Sequence, residues 1–186
     1  MGRTVIVSRR HDDLSQLIMK KMYDAVTRGG NFKLAFQRGD ELCWLPQVGD
    51  PVDDEVQMLA TVLDQSVFLP RKIVMLSMAG TADEVDGDQL RKWYGSRAQE
   101  ELWAHQYAIK MIDEFELPYT ILRTPPLVAH SAPAVLTDEG QPLVGTGVSA
   151  AELAGVIERV LLTDQYNGKS LGITASEVGV QQDDQD

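Results

Sequence analysis

Two arginines and a histidine follow the first apolar run of the chain, in the segment Ser8–His11. Guanidinium groups bind phosphates and carboxylates through paired hydrogen bonds, so this segment could hold an anion with its side chains. Two aspartates come next, and they can cap the helix that follows. Two interpretations therefore stay open: Arg9, Arg10 and His11 form an anion site, or they are a solvated basic group before a capped helix.

The segment between Val7 and Leu14 contains no glycine. A dinucleotide-binding turn uses glycines to bring its backbone close to the pyrophosphate, whose charge is met by the amino end of a helix. Here Asp12 and Asp13 would place two carboxylates at that helix end, where they would compete with a phosphate for its donors. The residues therefore predict weak or absent binding of an ordinary dinucleotide, with any residual affinity dependent on arginine side chains.

The remaining reactive residues do not form a recognisable catalytic or metal-binding set. Cys43 lies in the apolar run Leu42–Leu45, which is typical of a buried, inert thiol. His11, His105 and His130 are too far apart in the sequence to suggest a metal site. His105 falls in the middle of a predicted helix, where we expect a surface or interface position.

The composition limits the classes of partner. The chain has 186 residues, a formal net charge of -11 and a pI near 4.6, which argues against nucleic acids and anionic membranes, because both attract a basic surface. A single cysteine excludes an internal disulfide and fits a reducing compartment. No transmembrane run or signal peptide is recognised, so we expect a cytoplasmic protein. The length predicts one domain over residues 1–178, with a disordered acidic tail over 179–186.

Apolar periodicity and capping residues predict strands that alternate with helices. The predicted strands are Arg3–Ser8, Phe32–Gln37, Leu42–Leu45, Ile73–Leu76, Tyr119–Leu122 and Ser170–Thr174. The predicted helices run from Asp12 or Asp13 to Val26 before Gly29 and Gly30, from Asp53 or Asp54 to about Asp64, from about Arg97 to Phe115, and over Ala150–Leu162. Gly80–Gly95 is expected to be a polar loop. This alternation predicts a parallel, doubly wound α/β sheet.

The helix Ala150–Leu162 has the most complete set of local signals. Ser149 and Glu152 match a capping box, in which each side chain accepts a hydrogen bond from the other residue's amide. Val148 and Leu153 match the hydrophobic staple that often accompanies such a box. We therefore expect this helix to begin directly after the serine.

One connection does not fit a purely parallel arrangement. Only four residues separate the predicted strands Phe32–Gln37 and Leu42–Leu45, whereas a parallel crossover needs about ten or more. Either the two segments form a hairpin, or one of them is not a strand.

Several short segments in the second half of the chain occur in a characteristic order and spacing. They are Lys72–Ser77, Ala82–Gly87 with Trp93, Ile112–Arg123, Glu139 with Gly140, Gly145–Ser149, and Ser170–Ile173. In these segments, roughly from Arg71 to Thr174, the chain resembles the atypical short-chain dehydrogenases/reductases, the NmrA-like proteins with an NAD(P)-binding Rossmann fold. The resemblance implies a Rossmann-like, doubly wound, mostly parallel sheet. Its N-terminal half would be shortened by about one βα unit, which we place around residues 37–42.

The resemblance also implies which loops would meet a cofactor, NAD or NADP. In the family, the loops after the fifth and sixth strands touch the nicotinamide end, and here these loops carry Ser77 and Met78, and Thr124 and Pro125. Arg38 follows a predicted strand and could contact a 2′-phosphate. The basic segment described first would take the place of the phosphate-binding turn.

Reductases of this class usually carry a Tyr-x-x-x-Lys pair, in which the lysine lowers the tyrosine pKa so that the phenol can transfer a proton. Tyr107 and Lys110 are only three residues apart, and Tyr94 has Ala98 four residues on. The pair is therefore absent from this sequence, and no catalytic residue is assigned. We expect a degenerate NAD(P)-binding protein. The alternatives are an active NAD(P)-dependent oxidoreductase or epimerase-like enzyme acting on a small molecule, and a non-catalytic ligand sensor or assembly partner.

The predicted helix Arg97–Phe115 has more apolar surface than one core can cover. Leu102 and Ile112 lie on one stripe, and Trp103 and Tyr107 lie on another. We expect a homodimer formed by an isologous contact between two copies of this helix.

Overall fold

A seven-stranded sheet connects the elements of the molecule. The computed structural model describes residues 2–22, 24–29 and 31–176, so Gly30 and the predicted tail over 179–186 lie outside the described residues. The strands are β1 (Thr4–Val7), β2 (Ala25–Arg28), β3 (Glu41–Trp44), β4 (Ile73–Met78), β5 (Tyr119–Thr124), β6 (Val135–Asp138) and β7 (Lys169–Thr174). The helices are α1 (Asp13–Lys21), α2 (Val52–Gln65), α3 (Gly87–Tyr94), α4 (Ala98–Glu114) and α5 (Ala150–Leu162).

Helices cover both faces of the sheet. The strand order is β2-β1-β3-β4-β5-β7-β6, and only β6 runs antiparallel to its neighbour. Successive strand side chains point to opposite faces, so Ile6 packs in one cluster with α1 and α5, while Val5 and Val7 pack in another with α2 and α4. The predicted Rossmann-like, doubly wound, mostly parallel fold is confirmed. Among the described helices, none is long and apolar enough to cross a membrane.

The first helix is shorter than predicted. It ends at Lys21 rather than at Val26, because Met22 takes an extended conformation and the next residues pair with β1 as β2. Val26 continues the apolar spacing of the helix, but a β-branched residue also favours a strand. Gly29 therefore follows a strand rather than a helix.

The predicted strand Phe32–Gln37 is wrong. These residues have no regular secondary structure, and Phe32 and Phe36 are buried in the cluster beneath α2 and α4. The ring of Phe32 meets that of Trp44 edge-on, with 5.4 Å between the centroids. Their apolar character thus serves packing on the sheet, not strand pairing. Phe32–Gln37 is therefore the segment that is not a strand, and the alternative of a hairpin with Leu42–Leu45 is wrong.

The shortening of the N-terminal half has a definite place in the sheet. A doubly wound dinucleotide fold usually has the strand order 3-2-1-4-5-6, with one further strand outside the second. Here β2 is an edge strand, and β3 pairs with β1 in the place of the usual fourth strand. The missing βα unit therefore falls at residues 29–40, mostly before the predicted 37–42.

The C-terminal half contains two elements that were not predicted. Gly80–Gly95 is not a loop throughout, because α3 begins after Asp86, whose carboxylate accepts a hydrogen bond from the amide of Gln89 at 2.8 Å. The antiparallel strand β6 was also missed. Both elements are short, and Leu90 is the single buried residue of α3. Their apolar periodicity is therefore too weak to be recognised in the sequence.

The amino end of α5 matches the prediction in part. Ser149 accepts a hydrogen bond from the amide of Glu152 at 3.3 Å, and both staple residues are fully buried in one cluster. The reciprocal hydrogen bond was wrongly predicted, because the Glu152 carboxylate accepts from the amide of Ala134 at 3.0 Å instead. The helix thus also holds the loop that precedes β6.

The outer face of α4 exposes part of the second predicted stripe. Trp103 is 62% exposed and Tyr107 is 42% exposed, whereas Leu102 and Ile112 are buried. We propose that a second copy of the chain covers the two aromatic rings, because an isologous contact would bury four of them together.

Light scattering is expected to show a dimer. The variant Trp103→Asp should convert it to a monomer, because an unpaired carboxylate cannot be buried at the contact without a large desolvation cost. Leu162→Asp, at an exposed apolar residue of α5 on the other face of the sheet, is the matched control and should leave the mass unchanged. A monomeric wild-type protein at high concentration would refute the proposal.

Candidate functional site

The candidate site lies at the carboxyl ends of the central strands. The parallel strands β1, β3, β4 and β5 end at one edge of the sheet, where ligands bind in open α/β folds. The chain leaves that edge through loops that begin at Ser8, Leu45, Ala79 and Pro125.

Ser8 connects the ends of β1 and β3. Its hydroxyl donates to the carbonyl of Leu45 at 3.2 Å and accepts a hydrogen bond from the amide of Arg10 at 3.0 Å. The side chain is buried. Ser8 therefore fixes the shape of the turn from within.

Arg9 reaches across to the amino end of α2. Its Nε donates to Oε1 of Glu55 at 2.9 Å, and Oδ1 of Asp50 lies 4.0 Å from the same nitrogen. Glu55 is buried and also accepts from the indole Nε1 of Trp44 at 3.2 Å. Burial raises the pKa of Glu55, while the hydrogen bonds from Arg9 and Trp44 lower it. Arg9 thus compensates a carboxylate that would otherwise be unpaired inside the protein.

Arg10 is held by the cap of the first helix. Its Nε donates to Oδ2 of Asp12 at 2.9 Å, and its Nη1 donates to the carbonyl of Pro46 at 3.2 Å. The other carboxylate oxygen of Asp12 accepts from the amide of Ser15 at 3.1 Å, so the predicted cap is confirmed. His11 is exposed beside this pair. A phosphate at the turn would compete with Asp12 for Arg10.

A groove of about 740 Å³ opens between the amino ends of α1 and α5. Asp12 and Asp13 lie on one side, Ser149 and Glu152 lie on the other, and His130 belongs to the loop that lines it. Three carboxylates in its walls outnumber the one ammonium group there, that of Lys20, so the groove is unfavourable for a phosphate. It offers room for a neutral or cationic part of a ligand next to the basic turn.

A smaller cavity of about 110 Å³ lies over the ends of β4 and β5. Five of the predicted site residues line it together: Arg10, Ser77, Met78, Thr124 and Pro125. The structure therefore brings the predicted phosphate turn and the predicted nicotinamide loops to one place. The other lining residues include two titratable side chains that were not predicted as site residues.

The first of these is Tyr94, the last residue of α3. Its hydroxyl donates to the carbonyl of Thr124 at 2.8 Å and accepts from the amide of Ala79 at 3.2 Å. Burial raises the pKa of the phenol above its ordinary value. Tyr94 therefore holds the short helix over the strand ends, and its phenol stays protonated at neutral pH.

The second is His105, in the middle of α4. The expected surface position is wrong, since the residue is 2% exposed. Its Nδ1 lies 3.0 Å from the hydroxyl oxygen of Ser77. Burial lowers the pKa of the imidazole to about 4, so the ring is neutral at physiological pH. A signal for this position exists in the sequence, because residue 105 falls on the buried stripe between Leu102 and Ile112.

Behind the cavity lies a buried ion pair. Arg123, the penultimate residue of β5, pairs with Glu84 in the loop after β4, and their side chains are 1% and 3% exposed. The Nε of Arg123 donates to the hydroxyl of Ser170 at 2.9 Å. The pair connects the loop before α3 to the centre of the sheet.

Arg38 does not join the other predicted residues. It precedes β3 and therefore lies at the amino ends of the strands, where its guanidinium stands over the ring of Phe68 at 5.5 Å from the centroid. The prediction placed it after a strand that does not exist. Its proposed contact with a 2′-phosphate has no support from this position.

The other reactive residues stay outside the site. Cys43 is fully buried, as expected, and desolvation together with the charge of Glu41 raises its pKa to about 12. Within the described parts of the chain, no three histidine, cysteine or carboxylate side chains cluster as metal ligands.

Comparison with known proteins identifies a family that the chain matches. The NAD(P)H-binding family matches residues 55–164, more than half of the chain. No curated protein sequence matches.

Solved structures share the fold at low sequence identity. A short-chain dehydrogenase/reductase from Veillonella parvula DSM 2008 is similar with a TM-score of 0.73 and 16% identity, over 94% of this chain and 95% of that one. A structure of a short-chain dehydrogenase/reductase from the same organism in complex with NADP gives 0.70 and 16%, over 94% and 95%. A Rossmann-fold NAD(P)-binding family protein from Shigella flexneri gives 0.65 and 13%, over 97% and 98%.

Proposed function

Because the chain belongs to the NAD(P)H-binding family, we propose that it is an NAD(P)H-dependent reductase that holds the dinucleotide in a modified way. The nicotinamide end would enter the cavity over β4 and β5. The pyrophosphate would be held by arginine side chains rather than by a glycine-rich backbone turn. The substrate would be a small molecule with a reducible polar double bond.

One observation carries the proposal. Arg10 from the first turn, Ser77 from the end of β4, and Thr124 from the end of β5 converge on a single cavity. These loops belong to different parts of the sequence, and the fold brings them together at the edge where such sheets bind ligands. The apolar side chains of Leu76 and Met78 also form part of its wall.

The two ends of a dinucleotide fit unequally. The cavity is smaller than the roughly 300–1,000 Å³ of a typical ligand pocket, so it suits one planar ring rather than a whole cofactor. At the turn, Arg9 and Arg10 supply positive charge, but both are already paired with carboxylates. To bind Arg10, a pyrophosphate would have to displace the carboxylate of Asp12. The free energy of binding would therefore be reduced by the free energy of the Arg10–Asp12 ion pair.

A bound dihydronicotinamide supplies a hydride. The chain's own part is to orient the ring and the acceptor and to handle the proton. The hydroxyl of Ser77 can form a hydrogen bond with an acceptor oxygen, and the protonated Tyr94 holds the roof of the cavity in place. The neutral His105 is the titratable group beneath them.

Binding of NADPH and NADH is expected to be weak and sensitive to salt, because side chains provide the phosphate contacts. Arg10→Ala should weaken binding about tenfold, since a hydrogen bond to a charged group contributes about 1.5–3 kcal/mol and part of that is already used by Asp12. Titration calorimetry at low and high salt measures both effects. A thermal-shift screen should rank the ligands by affinity in the same order as calorimetry, because a ligand stabilises the state that binds it.

Arg38→Ala is the matched control for this prediction. It also removes a guanidinium, but from the opposite edge of the sheet, so it should leave the affinity unchanged. A low-micromolar dissociation constant that is unaffected by Arg9→Ala and Arg10→Ala would contradict the side-chain mode and indicate an ordinary backbone site.

A non-catalytic ligand sensor or assembly partner is the second candidate. The carboxylate partners of Arg9 and Arg10 favour it, because the turn is already neutralised without a ligand. The exposed aromatic pair on α4 also suits an assembly role. An unchanged unfolding midpoint with millimolar NADPH or NADH would favour this second function.

A further inference from the structure

His105 is an unusual side chain for the middle of a buried helix face. The imidazole is almost completely buried, and no carboxylate contributes to its lowered pKa, which results from desolvation alone. A polar group in such a place needs hydrogen-bond partners to offset the loss of water. Among the described residues, the hydroxyl of Ser77 is the hydrogen-bond partner of the ring, at Nδ1.

The second ring nitrogen, Nε2, has no hydrogen-bond partner among the described residues, and it is not one of their enclosed atoms without a partner, so solvent or a ligand can reach it. His105 lines the small cavity with Ser77, Tyr94 and Thr124. A purely structural pair would satisfy both ring nitrogens or be replaced by apolar residues of the same shape. Because His105 lines this cavity, a ligand or a water molecule there can bind the ring nitrogen that no described residue contacts.

We propose that Ser77 and His105 form the proton-delivering pair of this site, with Ser77 as the catalytic donor and His105 as the residue that positions and recharges it. The inference rests on the proposed reductase function and deepens it. It assigns the proton step to a hydroxyl and a neutral imidazole, instead of the tyrosine and lysine that this chain lacks.

The proton step can be written for a carbonyl group as the acceptor. The carbonyl carbon gains the hydride that the nicotinamide supplies, and the O–H bond of Ser77 breaks as its proton moves to the carbonyl oxygen. The proton on Nδ1 of His105 then moves to the serine oxygen, while Nε2 takes a proton from a solvent water, whose hydroxide is neutralised in the bulk solution. Exchange with solvent returns the ring to its Nδ1–H form before the next turnover. The imidazole stays neutral overall, so no charge is created in the buried site, and the net proton comes from solvent.

Other groups at the cavity are less suited to this step. The phenol of Tyr94 already donates to the carbonyl of Thr124, and its raised pKa opposes ionisation. The guanidinium of Arg10 is already engaged by the carboxylate of Asp12. Lys110 lies on the exposed side of α4, 3.9 Å from Glu114. Ser77 and His105 together combine a hydroxyl that can donate a proton with an imidazole that can replace that proton.

Kinetics separate a proton relay from a packing role. The probe reaction is reduction of 4-nitrobenzaldehyde by NADPH in wild type and in Ser77→Ala, His105→Asn and Lys110→Ala. Asparagine places an amide near the Nδ1 position, so it can keep the hydrogen bond to Ser77 but cannot pass a proton. We expect kcat to fall by about 100-fold or more in Ser77→Ala and about tenfold or more in His105→Asn. The dissociation constant for NADPH should stay within about twofold in both, and Lys110→Ala should behave as wild type.

Nuclear magnetic resonance of ¹⁵N-labelled histidine gives a readout that does not depend on turnover. We expect the His105 ring to carry its proton on Nδ1, so that the serine hydroxyl remains free to donate to the acceptor. The Nε2 resonance should shift when the aldehyde is added to protein saturated with NADP. A proton on Nε2, or a ring that does not respond to either ligand, would overturn the inference.

The outcomes distinguish the two proposals. If NADPH does not bind to the wild-type protein, the proposed function itself is wrong. If NADPH binds but the wild-type protein does not reduce the aldehyde, or if His105→Asn keeps the full kcat, the relay is wrong and the binding proposal stands. Loss of kcat with unchanged NADPH affinity in both variants supports the relay.

Discussion

Glu84→Ala is expected to lower the free energy of unfolding by about 3–5 kcal/mol, the effect of removing one partner from a buried ion pair. Both side chains of the pair with Arg123 are almost fully buried. Without Glu84, the guanidinium keeps hydrogen bonds to the hydroxyl and carbonyl of Ser170 but has no compensating negative charge. Urea denaturation followed by circular dichroism measures the change.

A double variant tests whether the unpaired charge is the cause. Glu84→Leu combined with Arg123→Met removes both charges and keeps similar volume, so it should be closer to wild type than Glu84→Ala is. If Glu84→Ala costs less than about 1 kcal/mol, in the range of an exposed pair, solvent reaches the pair and the interpretation is wrong.

Acidification is expected to destabilise the protein through His105. The imidazole has an ordinary pKa of about 6.5 in the unfolded chain, and burial lowers it to about 4 in the folded protein. Between these values the unfolded state binds a proton that the folded state does not, so stability falls as the pH falls. From about pH 7.5 to about pH 4.5 this contribution is roughly 2–3 kcal/mol. Above about pH 7.5 it should be constant.

The variant His105→Asn isolates this contribution, because asparagine does not titrate. Urea midpoints of both proteins should be measured across the same pH range. Asp164, whose pKa is lowered by Lys72, and Glu55, whose pKa is raised by burial, titrate in both proteins and cancel in the difference. Parallel profiles for wild type and variant would show that the imidazole is hydrated in the folded state.

The second half of the sequence predicts its fold well because its elements carry redundant signals. The family resemblance read between Arg71 and Thr174 is confirmed, and the matched family covers residues 55–164. Strand β4 is apolar at almost every position, and α5 begins with a serine cap and a buried staple. When cap, periodicity and apolar content agree, local signals determine the element.

The first half was harder to predict because single residues allow two structures. Val26 continues the spacing of a helix and also suits a strand, and pairing with β1 decides for the strand. Phe32 and Phe36 have strand-like character, but they pack on Trp44 and its neighbours as part of a loop. Such outcomes depend on which tertiary partner is available, and a window of sequence does not contain that information.

The residues of the candidate site also fall into two groups: those that the sequence identifies and those that only tertiary contacts identify. Ser77 and Thr124 were predicted from the family resemblance, in which the loops after the fifth and sixth strands touch the nicotinamide end, and each follows a recognisable buried strand. Arg38 was misplaced because its position depended on a strand that does not form. Tyr94 was missed as a site residue because α3 was not recognised, and His105 because a lone histidine in a helix has no spacing that identifies its partner. Both contacts arise between elements that only the fold brings together.

Within the described ranges, no strand pairs on the outer side of β2, and this also affects how the molecule behaves in concentrated solution. The sheet ends in β2 on one side and in β6 on the other, and each of these strands has four residues. The outward amide and carbonyl groups of an edge strand can recruit strands from other molecules and start fibrous aggregation. A four-residue edge strand has few such groups. Short edge strands are one of the features by which natural sheets avoid pairing with strands of other molecules. An open sheet that has lost one of its covering units can therefore remain a discrete particle.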